Sequence, residues 1–136
     1  MGLITQILRP EWFAADRVAQ AIYEASPDLD PSTGKYIEWN SLEAAPTLRV
    51  AAEQMLQTMV RLGIIARDRR SILQPDQMDA EHWAMVFFLV TTPEVALYDM
   101  QHLALAWQVQ EQAIREGYVY LMQLALERLV SLGVLA

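Results

Sequence analysis

Apolar side chains recur at helical spacing through most of the chain. Behind Pro10, which suits the first turn of a helix, the stretch PEWFAADRVAQAIYEAS puts Ala14, Val18, Ala21, Ile22 and Ala25 on one face. Asp16, Arg17, Gln20 and Glu24 fall on the other, the stripe expected of a surface helix. Residues 27–41 (PDLDPSTGKYIEWNS) read as a long loop with room for a short hairpin, because prolines, a glycine and an Asp/Ser/Thr cluster punctuate them. Asn40 or Ser41, with Glu43 in capping-box position, starts the next segment, and the main helix runs from Pro46 to Leu62. Its apolar face is Leu48, Ala52, Met55, Leu56, Met59 and Val60.

Asp76 or Asp79 caps a third helix, DAEHWAMVFFLVTT, in which everything from Trp83 to Val90 is apolar. Such a run also suits a buried strand. The cap on its left, Pro93 on its right and the helices around it favour helix. Glu94–Glu116 is expected as the longest helix, broken by Gly117 from a last one over Tyr118–Leu132. Residues 1–9 are left as an N-terminal arm or short docking helix. The expected fold is therefore all-α: a single-domain bundle of about five helices over 1–136 with a C-terminal helical hairpin.

Two stretches end alike. MLQTMVRLGIIA and ALERLVSLGVLA, 70 residues apart, share Leu56/Leu126, Val60/Val130, Leu62/Leu132, Gly63/Gly133 and Ala66/Ala136. At that offset nothing matches further upstream, so a repeat is not indicated. Helix-ending grammar accounts for the matches: a glycine after the last turn takes a left-handed conformation and the next aliphatic residue folds back onto the helix.

Composition narrows the function classes. The 136 residues are 54% apolar with no cysteine, which removes disulfides, thiolate metal sites and cysteine nucleophiles. The longest strongly apolar run, Trp83–Val90, is far short of the ~20 residues needed to span a bilayer, so a cytoplasmic protein with no membrane partner is expected. Residues 1–70 carry 8 basic and 9 acidic side chains, and residues 71–136 carry 2 and 8. The second half would repel a phosphate backbone.

Only the first half offers a nucleic-acid reading. The helix, Leu-Gly-Ile-Ile and the basic turn ARDRRSIL over 47–74 resemble the recognition helix and wing of winged-helix domains. The resemblance implies DNA contacts from Arg49, Gln54, Gln57, Thr58 and Arg61 on the helix and Arg67, Arg69 and Arg70 on the wing. It departs from the motif in two places: loop 27–41 stands where a complete preceding helix belongs, and Glu53 sits mid-face.

Asp79-x-x-His82 recurs as Asp99-x-x-His102. A carboxylate and a histidine at that spacing share a helix face and can hold metal in bundles, but an aspartate there is more simply a cap. No Gly-rich phosphate loop, GxSxG or catalytic constellation stands out. We expect no catalytic residue, metal or cofactor. The leading expectation is a non-enzymatic interaction protein: an assembly subunit, an adaptor, or a small acidic inhibitor or immunity-type protein. It would bind a protein partner or a second copy through an apolar helical surface and the acidic second half. Trp12, Phe13 and Trp39 are its candidate exposed anchors. The alternative is a winged-helix-like DNA binder using Arg49, Gln57, Arg61, Arg67, Arg69 and Arg70.

Overall fold

The computed structural model describes residues 4–39, 45–92 and 99–136. Among them are five helices: α1 (Ala15–Ala25), α2 (Ala45–Arg61), α3 (Ala80–Thr91), α4 (Met100–Gln108) and α5 (Gln112–Ser131). The chain is thus the all-α bundle that its periodicity predicts. The cap expected at Asn40, Ser41 and Glu43, and the start of the expected helix at 94–98, lie outside the described residues.

Four helices make the core. α1 packs on α2 and α5, α3 packs on α2 and α5, and α4 lies against α3. Met55, Leu56 and Met59 from α2 meet Trp83 and Val86 from α3 and Met122, Leu126 and Leu129 from α5 in one buried cluster. Full burial of each large side chain contributes roughly 1.5–3 kcal/mol. The apolar run at 83–90 is helix, started by the Asp79 carboxylate, which accepts the His82 N–H at 2.9 Å. Such a cap satisfies one of the orphan donors of the first turn.

The two Leu-Gly helix ends are built alike. Gly63 and Gly133 have φ of 75° and 76°. Ile64 and Val134 then donate back to the Met59 and Leu129 carbonyls at 2.9 and 3.0 Å. Both chains continue extended. Ile65 pairs antiparallel with Ile72, closing a hairpin around residues 67–70, and Leu135 pairs antiparallel with Ile7. Residues 4–9 form no docking helix; they run along the C-terminal segment. Thr5 and Gln6 donate to the Ala136 carbonyl, and Ile4 is buried.

The final break is not at Gly117. α4 ends at Gln108, and α5 starts at Gln112 and runs through Gly117. No glycine or proline marks 109–111; the chain turns there because α5 must lie along α1 and α3, its main packing partners. Gly117 is exposed, and an added Cβ would meet nothing within 4 Å. Loop 27–39 holds the short hairpin, with Leu29 bridged to Tyr36. The Tyr23 hydroxyl pins it by donating to the Ile37 carbonyl and accepting from the Asp28 N–H.

The two kinds of glycine give opposite expectations. Gly117→Ala should stabilise by about 0.5–1 kcal/mol, since only helix propensity changes. Gly133→Ala should destabilise by roughly 1–2 kcal/mol from the left-handed backbone alone. Urea unfolding of both variants checks this; a common sign would contradict the assigned backbone.

Candidate functional site

Of the six nucleic-acid candidates, three are committed to protein contacts. Arg49 donates to Asp16 at 2.6 Å with its guanidinium 4.7 Å over the Trp39 ring. Arg69 grips both oxygens of Glu53 at 2.9 and 2.8 Å, and Gln57 donates to the same carboxylate at 3.0 Å. The arginine hydrogen bonds hold the Glu53 carboxyl below its ordinary range and raise the Arg69 guanidinium. Glu53 does not oppose a ligand on the helix face; it clamps the turn of the 64–73 hairpin to α2. Arg69 itself has φ of 62°, so the turn is left-handed where this bidentate pair fastens it. Thr58, placed on the polar face by periodicity, is buried and bonds back to the Gln54 carbonyl. Arg61, Arg67 and Arg70 remain exposed, with no ion pair among the described residues.

The anchor expectation needs correcting at two of three positions. Phe13 is 1% exposed and packs on Trp83, and Trp39 is 6% exposed and packs on Tyr23. Phe13 closes the base of the bundle, and Trp39 fixes the 29–36 hairpin to α1. Trp12 alone stays exposed, with the Arg9 and Arg17 guanidiniums 4.5 and 5.0 Å from its ring. Cation–π contacts at such sites contribute about 0.5–1 kcal/mol each.

Neither Asp-x-x-His pair builds a metal centre with the other. Asp79 and Asp99 each accept the backbone N–H of their own histidine at 2.9 Å and touch its Nδ1 at 2.7 Å. The His102 N–H, then its ring, hold the Asp99 carboxyl below its ordinary value. Both are N-caps, of α3 and α4. Among the described residues no three His, Cys, Asp or Glu side chains gather around a possible ion. No helix among them is long and apolar enough to cross a membrane.

A surface that the pattern did not single out lies at the α4–α5 corner. Leu105 and Val109, one turn apart on the chain, are 56% and 80% exposed, and Ile114 on the first turn of α5 is 44% exposed. Trp107, on the opposite face of α4, lines a cleft of about 400 Å³ together with Arg115, Glu116 and Tyr120 among others. Trp107 Nε1 and Arg115 Nε are buried with no hydrogen-bond partner among the described residues. A buried donor left unpaired costs about 1–3 kcal/mol. Glu81 and Glu116 line the same cleft and give it an acidic rim. The signal is obscured because Ile114, seven residues after Trp107, falls on the apolar stripe of the helix expected over 94–116, and the break that exposes Val109 carries no sequence mark.

A second cleft, about 390 Å³ and mainly apolar, lies between α1, α2, α3 and α5, lined by Ile22, Ala51, Phe87 and Leu121 among others. No protein-family model, curated protein or solved structure matches the chain.

The Glu53–Arg69 clamp makes a pH-dependent expectation. A folded-state pKa below the unfolded one contributes stability that is present above the unfolded value, about 4.3 for Glu, and lost as pH falls through the folded one. Glu53 is partly exposed, so solvent screening limits the pair to under about 1 kcal/mol. Glu53→Gln should be less stable than wild type at neutral pH, with the gap closing as pH falls below the ordinary Glu value of about 4.3 and through the lowered folded one. An equal gap at neutral and acid pH in urea titrations would refute an electrostatic clamp.

Proposed function

We propose that the chain is a non-enzymatic interaction protein, an adaptor or assembly subunit, that docks another protein on the α4–α5 corner. The observation that carries this reading is the exposure of Leu105 and Val109, one turn apart where α4 ends, with Ile114 exposed on the first turn of α5. Clustered apolar exposure of this kind marks interaction surfaces, whereas scattered single residues do not. The acidic rim adds a preference for a basic partner surface, which speeds encounter through complementary charge. An acidic inhibitor that covers a basic surface is one form of the same reading.

A second reading rests on the hairpin at 64–73, whose turn exposes Arg67 and Arg70 close in sequence to exposed Arg61. Three guanidiniums at the end of α2 suit phosphate contacts of a wing-like DNA binder. It ranks second because the base-reading candidates Arg49 and Gln57 are already engaged.

A photo-crosslinking side chain at Val109, in cells, should yield one dominant adduct that is lost on Leu105→Asp. The same probe at Gln54 on α2 should yield none. Equal adducts at both positions, or an adduct indifferent to Leu105→Asp, would remove the corner as the docking site. For the second reading, duplex DNA is titrated by fluorescence anisotropy at two salt concentrations. On the leading reading wild type and the Arg61/Arg67/Arg70→Ala variant are alike. Tight binding with a salt slope that drops by about 0.9 per lost phosphate contact would install the DNA reading instead.

A further inference from the structure

The likeness of the two helix ends extends to the whole molecule once the offset is allowed to change. At an offset of 65, Ile7, Leu8, Pro10, Ala15 and Ala19 stand over Ile72, Leu73, Pro75, Ala80 and Ala84. Glu11 and Asp16 stand over Asp76 and Glu81. The helix starts coincide, Ala15 with Ala80. Buried residues coincide too: Phe13 with Met78, Val18 with Trp83, Ala21 with Val86 and Tyr23 with Phe88. From α2 onward the offset is 70, and Ala52, Met55, Leu56 and Met59 stand over the equally buried Met122, Ala125, Leu126 and Leu129. The five-residue difference is absorbed between the helices, where the second half carries α4.

The backbone hydrogen bonds follow the same correspondence. Trp12 to Arg9 and Phe13 to Pro10 (2.9 and 3.2 Å) recur as Gln77 to Gln74 and Met78 to Pro75 (3.0 and 3.1 Å). The bonds between halves match reciprocally. Leu8 N–H to Val134 O and Leu73 N–H to Ile64 O are both 2.9 Å; Ala136 N–H to Gln6 O and Ala66 N–H to Ser71 O are 3.0 and 2.9 Å. The bridge Ile7–Leu135 maps onto Ile72–Ile65. Helix packing obeys the exchange as well: α1 on α2 becomes α3 on α5, and α1 on α5 becomes α3 on α2. The mainly apolar cleft is lined by matched pairs, Ile22 with Phe87, Ser26 with Thr91 and Ala51 with Leu121, and so lies on the pseudo-twofold axis. Helix-ending grammar explains the Leu-Gly matches alone; it does not dictate reciprocal pairing between distant segments.

We infer that the chain is two copies of one extended–helix–helix–extended unit, 4–66 and 71–136, joined head to tail. The leading segment of each pairs with the trailing segment of the other. The face between them is therefore self-complementary, and the partner it fits is a second copy of the unit, supplied here within the same chain. The turn 67–70 joins Ala66 to Ser71 at one pairing; the equivalent pairing is Ala136 with Gln6.

Two full-chain rearrangements test this. Deleting residues 67–70 removes the turn that lets one chain pair Ile65 with its own Ile72, so the halves must find their counterparts in a second molecule. A dimer of unchanged helical circular dichroism is expected by light scattering; a folded monomer would overturn the inference. The second variant is a circular permutant with Ala136 joined to Gly2, made also with six added Gly/Ser residues at the joint, and opened between Asp68 and Arg69. It is expected to fold as a monomer with a cooperative urea transition. Failure of both permutants to fold would overturn the inference, and their folding decides the matter if the deletion variant is unfolded.

Discussion

Two antiparallel bridges, Ile7 with Leu135 and Ile65 with Ile72, fix how the four core helices meet. Each depends on a glycine with φ near 75° that ends the preceding helix and sends the next aliphatic residue inward. A side chain at that backbone angle is strained; without the turn the extended segment would leave the bundle instead of running across its base. The inward residues, Ile64, Ile65, Val134 and Leu135, are all buried. The pairings are short, but each places a hydrophobic pair where two helices end and a third begins. They tie the segment leading into α1 to the segment that follows α5, and the segment leading into α3 to the segment that follows α2.

Helix periodicity, the Asp79 cap and the Leu-Gly endings were legible in the sequence because each is a local signal with a local cause. The features that were not legible are set by distant contacts. The turn at 109–111 has no breaker and follows from where α5 must lie. Phe13 and Trp39 look like free aromatics beside a proline and inside a loop, yet Trp83 and Tyr23 receive them in the core. Of the candidate site, the exposed arginines were legible, but not Glu53's role as the clamp of Arg69. The repeat was hidden because a fixed offset of 70 fails upstream of α2, where the register is 65.

Charge also changes meaning with structure. In the near-neutral first half Arg49 and Arg69 pair with Asp16 and Glu53, and Arg9, Arg17 and Arg49 lie over the faces of Trp12 and Trp39, which leaves Arg61, Arg67 and Arg70 exposed. Arg128 in the second half crosses to Glu24 of α1 at 2.8 Å. These surface pairs contribute modestly one by one, but each joins elements distant in sequence. The acidic surplus of the second half stays at the surface, at positions such as Glu111, Glu116 and Glu127.

The correspondence between the halves separates folding from function. Positions that match, the glycines, the bridging aliphatics and the buried helix faces, are those the bundle needs to close. Positions that differ are free of that duty. Arg9, Trp12 and Arg17 form a stacked trio where the second half has Gln74, Gln77 and His82. α4, with Leu105 and Val109 exposed, has no counterpart among the described residues of the first half. Two equal halves would present each surface twice, but the α4–α5 corner occurs once. On the proposed docking at that corner, a partner would meet one site per chain in one orientation, and a departure from symmetry would be what supplies it.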